Sequence, residues 1–168
     1  IDGFRKLTQE DKVVSVGGVV GSNVGLATAR LAEQAQVPLF LLRAGDDKIL
    51  TMQSRYTFRT CLPPAQEDAP PILELAQARG VKSVGAIVAD YAWGQAFKTA
   101  LQDTFEGVSG VKLNIQVAPL PATDFTPYLR ALGNVGMIVA TGHPPGGGAI
   151  LAQAGQLGMK APVIGAYS

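Results

Sequence analysis

Charge is scarce in this chain. Of 168 residues, 16% are charged, with 14 Lys and Arg against 13 Asp and Glu for a formal net charge of +1, where soluble proteins average roughly 25%. So even a balance leaves no electrostatic footprint for nucleic acid or an anionic membrane. Histidine and cysteine are nearly missing, with one of each, His143 and Cys61. A single cysteine makes no intrachain disulfide, so the redox compartment stays open. With no histidine near it in sequence, Cys61 reads as a small apolar filler rather than a nucleophile. No spacing of His, Cys and carboxylates forms a metal set, and neither a G-x-S-x-G elbow nor a P-loop occurs. No apolar run reaches ~18 residues, so no membrane-spanning helix is expected. The opening Ile1-Asp2-Gly3-Phe4-Arg5-Lys6 lacks the basic and then apolar regions of a signal peptide, and the chain does not begin with Met.

What is present is apolar and finely punctuated. A hydrophobic content of 47% and a mean hydropathy of +0.20 exclude intrinsic disorder. The 20 Gly and 11 Pro exceed the usual ~12% share and predict short elements joined by tight turns. Residues 13–16 are a short β-branched run ending at Gly17-Gly18. Residues 22–34 then read as a helix, with Ser22 or Asn23 as N-cap and Leu26, Ala27, Leu31 and Ala32 at helical spacing. Residues 38–42 predict a second strand, 43–47 a polar turn, and 56–59 an extended segment.

The second half keeps a cleaner rhythm. Asp68 is expected to cap a helix with Pro70 and Pro71 in its first turn and Gly80 at its end. Strands are expected at 83–88, 112–117, 137–140 and 162–165. Helices are expected at 95–105 (Phe97, Leu101 and Phe105 on one face), 126–132 and 148–157. Strands alternating with helices mean βαβ units and mostly parallel sheets, an α/β protein. Residues 62–168 supply four helices and four strands, most of one doubly wound lobe. Residues 1–61 supply a helix end, two strands and one helix, too little to cover a parallel sheet on both faces. They read as the C-terminal part of another lobe, so the chain is expected to be a central fragment of something larger.

Ligands of open α/β sheets bind beyond the carboxyl ends of strands, so the strand-end loops hold the candidates. The segment from Val16 through Gly17, Gly18, Gly21, Ser22 and Gly25 is a glycine-rich turn into a helix, which suits an anion. Three readings stay open: carboxylate capture by Ser22 and nearby N–H groups, glycines serving turn geometry alone, and a dinucleotide site. The last is disfavoured because G-x-x-x-G-x-x-x-G is not G-x-G-x-x-G, and Arg43 stands where an acid is needed, with Asp46 further on. Arg43, before Ala44-Gly45, is either a clamp for an anionic group or a solvated charge. Asp90-Tyr91-Ala92-Trp93-Gly94 offers Trp93 as an apolar wall or as a packing residue. His143, in the loop after residues 137–140, is the one base near neutral pH, although a loop hydrogen-bond donor is the plainer reading. Tyr167 stands at a fourth strand end. Donor-rich loops without an acid–base set point to binding rather than turnover, with no cofactor.

Taken in order, several of these pieces carry a resemblance. They are Arg5-Lys6-Leu7, Asp11-Lys12-Val13, Val16-Gly17-Gly18 with Ser22 and Ala27, and Val37-Pro38. Tyr56-Thr57-Phe58-Arg59-Thr60, Asp90-Tyr91-Ala92-Trp93-Gly94 and Pro121-Ala122-Thr123-Asp124-Phe125 follow. Gln153-Ala154-Gly155-Gln156-Leu157-Gly158 and Pro162-Val163-Ile164-Gly165 close the set. The chain resembles the periplasmic solute-binding proteins of branched-chain amino acid (Leu/Ile/Val-binding) ABC transporters. The resemblance implies the type I periplasmic-binding fold: two doubly wound, mostly parallel-sheet lobes that close on a small ligand, whose closure a membrane permease reads. It implies a periplasmic or lipid-anchored extracellular carrier, not an enzyme. It places ligand contacts at Gly21, Ser22, Asn23, Arg43, Ala44 and Gly45, and from the second lobe at Trp93, His143 and Tyr167. Two departures stand out: Gly45 replaces a frequent Thr, and Arg43 replaces a small residue. Tyr167 aligns with the acid that holds a ligand's ammonium group. A small carboxylate, aromatic or dicarboxylic, is therefore expected rather than a plain aliphatic amino acid. A ligand-sensing domain of a receptor or regulator on the same fold is the alternative.

Overall fold

A computed structural model describes residues 1–60, 63–141 and 146–166, which divide into two compact units, Ile1–Ala65 and the residues from Gln66 onward. In the first unit α1 (Asp2–Arg5) continues into a π-helical turn over Lys6–Glu10. Strand β1 (Val16–Val19), helix α2 (Ser22–Ala35), strand β2 (Leu39–Leu41) and strand β3 (Thr57–Arg59) follow. The three strands pair in parallel in the order β1-β2-β3. Side chains alternate across such a sheet. Leu39 and Leu41 are fully buried and share a core with Ala29 and Ala32 of α2 and with Phe4 of α1. The intervening Phe40 faces the other way, where its ring stacks on Phe58 at 5.5 Å, and the two remain 38% and 44% exposed. The long connection from β2 to β3 has no helix. It is anchored instead by Glu33 of α2, whose carboxylate accepts the N–H groups of Arg55 and Tyr56 (both 3.0 Å) and the Thr57 hydroxyl (3.2 Å).

Three expectations for this unit are corrected. The first strand begins at Val16, not 13, and runs through the glycines. The register slips between Gly17 and Val19, and Gly18 adopts φ +97°. That is a β-bulge, which glycine forms without a steric penalty. As a result neither Ser22 nor Asn23 is the N-cap. Gly21 holds that position with an extended backbone, and Ser22 is the first helical residue. The extended segment at 56–59 is a third strand, because its backbone completes the ladder to β2.

In the second unit α3 (Ala65–Asp68), which straddles the division, leads to α4 (Pro70–Ala78). Asp68 ends α3 rather than capping α4, whose N-cap is Ala69. Then come β4 (Ser83–Ala89), α5 (Ala92–Phe105), β5 (Lys112–Ala118), α6 (Thr126–Leu132), β6 (Met137–Thr141), α7 (Gly146–Gln156) and β7 (Val163–Gly165). Helix α5 starts earlier than the predicted residue 95, at the turn that follows β4. Helix α7 starts at Gly146 rather than residue 148.

All pairings are parallel, in the order β5-β4-β6-β7. Strand β4 is central and buried from Val84 to Ala89, since helices cover both of its faces. On one face Ile87 packs with Leu129 and Leu132 of α6 and Ile150 and Ala154 of α7. Gly85 is forced on that face: a Cβ would meet Leu132 at 2.9 Å and Val135 at 3.1 Å. The chain leaves β4 toward β5 on one side and returns past it to β6 on the other. The carboxyl ends of β4 and β6 are thus the switch point of the sheet, where doubly wound folds bind ligands.

Candidate functional site

In the first unit the strand ends draw together the turn after β1 and the loop after β2. The β1–α2 turn enters a 14-residue helix that has no side-chain cap and no acidic residue in its first turn. The first N–H groups of such a helix and its dipole favour an anion. The next loop is tied to this turn at several points. The N–H groups of Leu42 and Arg43 share the Val19 carbonyl (2.9 and 3.2 Å). The buried Ser22 hydroxyl accepts the Asp46 N–H at 3.2 Å. Helix and loop touch at Gly25, where a Cβ would stand 3.0 Å from the Ala44 Cβ and 2.9 Å from Ile49 Cδ1.

From the far side Arg59 Nε donates to the Ala44 carbonyl (3.1 Å) and its Nη2 to the Asp46 carbonyl (2.7 Å). The Gly45 carbonyl accepts the Ala65 N–H at 3.0 Å. The buried Asp46 turns its carboxylate to the Lys48 N–H at 2.8 Å.

The expected residues therefore fare differently. Gly21, Ser22, Arg43, Ala44 and Gly45 are gathered at one edge. Ala44 and Gly45 are buried, Ala44 with no exposed surface at all, whereas Arg43 is half-buried and Asn23 exposed. Gly17 and Gly18 lie inside β1, which leaves Gly21 alone at the turn, and this is not the glycine-rich turn that a dinucleotide needs.

Trp93 belongs to the second unit. It is 1% exposed, stacked on Phe97 at 5.0 Å and 11°, with Tyr91 at 6.3 Å. In this position it is a packing residue, and its indole N–H has no hydrogen-bond partner among the described residues. The turn before it is set by Gly94, where a Cβ would run into the Ala89 carbonyl oxygen. The neighbouring Asp90 N–H donates to the Ala118 carbonyl, and the Asp90 carboxylate accepts the Gln95 amide at 2.7 Å. On β6, Thr141 is buried, with its hydroxyl on the Ile87 carbonyl at 3.1 Å. His143 and Tyr167 lie outside the described residues, as does Cys61. A depression of about 540 Å³ lined by Asn134, Met159 and Lys160 lies at the amino ends of β6 and β7, away from the strand-end loops.

Arg59 and Asp46 join this edge although neither stands among the expected contacts. The one available signal for Arg59 is a cation closing an extended segment whose neighbours are Thr57 and Phe58. No group of three or more metal-binding side chains occurs among the described residues, and none of their helices is long and apolar enough to cross a membrane.

Parallel strands joined by helices, with the switch point in the second sheet, define an α/β protein of the doubly wound class. The periplasmic binding protein family model matches residues 1–168, and the chain belongs to that family. A leucine binding protein from Thermotoga maritima superposes with a TM-score of 0.87 at 21% identity, over 98% of this chain and 47% of its own; the fold is the type I periplasmic-binding fold. A solute binding protein of an ABC transporter from R. palustris, solved in complex with 4-hydroxybenzoate, gives 0.81 at 26% identity, over 96% of this chain and 45% of its own. Leu/Ile/Val-binding protein homolog 6 from Brucella abortus is 26% identical over 132 residues, 79% of this chain and 33% of its own length. The chain thus spans about a third of the curated relative and about half of the solved ones.

Proposed function

We propose that this protein is the solute-binding part of an ABC importer, working in the periplasm or anchored outside the cell and handing a small carboxylate to a membrane permease. It acts as a carrier and not as a catalyst. The observation that carries the reading is the uncapped start of α2 at Gly21 and Ser22, locked against residues 43–46. Such an edge supplies backbone donors and the Arg43 cation to an anionic group. Gly21, Asn23, Arg43 and Gly45 are the proposed contacts, with the buried Ser22 and Ala44 holding the edge in shape behind them. In the second unit His143 and Tyr167 are proposed as ligand residues on the resemblance, while Trp93, buried against Phe97, serves packing. An aromatic or dicarboxylic acid suits these residues better than an aliphatic amino acid, because Arg43 adds a cation and Tyr167 takes the place of an ammonium-binding acid. The 4-hydroxybenzoate bound by the R. palustris relative supports this choice.

A thermal-shift screen of the protein against benzoate, 4-hydroxybenzoate, succinate and leucine tests it. A true ligand at 100 times its Kd adds roughly 2.7 kcal/mol, or about 5–10 °C at ~2–4 °C per kcal/mol for a chain of this size. Stabilisation by leucine and by none of the other acids would overturn the carboxylate reading.

A further inference from the structure

We infer that Arg59 is the positioning residue of the ligand loop, orienting from behind the peptide planes whose N–H groups meet the ligand. This rests on the carboxylate capture proposed at residues 43–45 and extends it to the Asp47 N–H. In a trans peptide the C=O and N–H of one plane point in opposite directions, and the cis bond among the described residues is elsewhere, at Leu120-Pro121. By holding the Ala44 carbonyl, Arg59 turns the Gly45 N–H away from its guanidinium. By holding the Asp46 carbonyl, it does the same for the Asp47 N–H. The plane between them is fixed at both ends, its carbonyl by the Ala65 N–H and its N–H by the Ser22 hydroxyl. Three consecutive peptide planes are therefore oriented, two of them by one side chain.

That task needs arginine. A planar fork reaches two carbonyls at once in fixed geometry, whereas a lysine ammonium is a point donor on a flexible stem. The fork is also aimed from a firm base, because Arg59 pairs with Leu41 in the β2–β3 ladder and sites built on strands hold their geometry better than sites on loops.

Arg59→Lys and Arg59→Gln, compared with the parent protein, test this by amide hydrogen exchange and by titration with 4-hydroxybenzoate. Exchange of the Asp46 amide should accelerate at least tenfold in both variants, while the β2 and β3 ladder amides stay within about twofold. Affinity for 4-hydroxybenzoate should fall at least tenfold even in Arg59→Lys, which keeps the charge. A uniform rise in exchange across β2 and β3, or loss of folding in both variants, would show a merely structural role and overturn the inference. Unchanged affinity in Arg59→Lys would overturn it as well. If the parent protein itself ignores 4-hydroxybenzoate, the aromatic-carboxylate reading fails, and exchange at Asp46 still decides whether Arg59 orders the loop.

Discussion

Gly25→Ala sets two effects of known sign against each other. Gly25 is the fourth residue of α2, and replacing a helical glycine by alanine ordinarily stabilises by about 1 kcal/mol. Here the new methyl group would sit 2.9 Å from Ile49 Cδ1 and 3.0 Å from the Ala44 Cβ. The Ile49 terminus can rotate away. The Ala44 Cβ cannot, because its backbone carbonyl is held by Arg59 and the next residue's by Ala65. Overpacking of this kind costs about 1–3 kcal/mol, so the net effect should be a loss of up to about 2 kcal/mol. The same substitution at Gly155 is the internal control. It too lies in a helix, α7, and a Cβ there meets nothing within 4 Å. Gly155→Ala should therefore stabilise by about 0.5–1 kcal/mol. Thermal unfolding followed by circular dichroism should move the two midpoints in opposite directions, at about 2–4 °C per kcal/mol. Equal upward shifts would mean that α2 and the loop after β2 are not in contact, and the account of the site's first unit would fall with that contact.

Three further outcomes are expected. Gly94→Ala places its Cβ against the Ala89 carbonyl oxygen, a rigid backbone atom, and should cost about 3 kcal/mol or more in the second unit, read by urea unfolding. Trp93→Phe keeps an aromatic ring against Phe97 and removes an indole N–H that is buried without a partner. It should cost less than about 2 kcal/mol, against about 3–5 kcal/mol for Trp93→Ala; similar losses in the two would refute the orphaned donor. Glu33 is the pH-sensitive anchor of the β2–β3 connection. Desolvation pushes its carboxyl upward, but the Arg55, Tyr56 and Thr57 hydrogen bonds together outweigh it and hold it below its ordinary 4.5. A depressed carboxyl contributes stability that is fully present above pH 4.5 and is lost as pH falls through the folded value. Glu33→Gln should remove that part of the acid dependence, visible as a flatter midpoint-versus-pH curve below 4.5.

The α/β class and the parallel pairing follow from the order of residues alone. Hydrophobic runs alternating with amphipathic stretches at Phe97, Leu101 and Phe105 are local signals, and each needs only its own neighbours to be read. The glycine-rich passage into α2 could also be placed at a strand end. Whether Gly18 bends a strand or begins a turn was not legible, because the bulge exists only once β1 pairs with β2. The same holds for Trp93, whose face was fixed by stacking on Phe97 and Tyr91 rather than by the composition of its loop. Arg59 was hidden for a like reason: its partners, Ala44 and Asp46, are backbone carbonyls that residue type does not announce and that lie well away from it along the chain. Local propensity selects elements. The hydrogen bonds that join a helix start, a loop and a strand end are long-range, and only the folded chain decides which donors and acceptors they use.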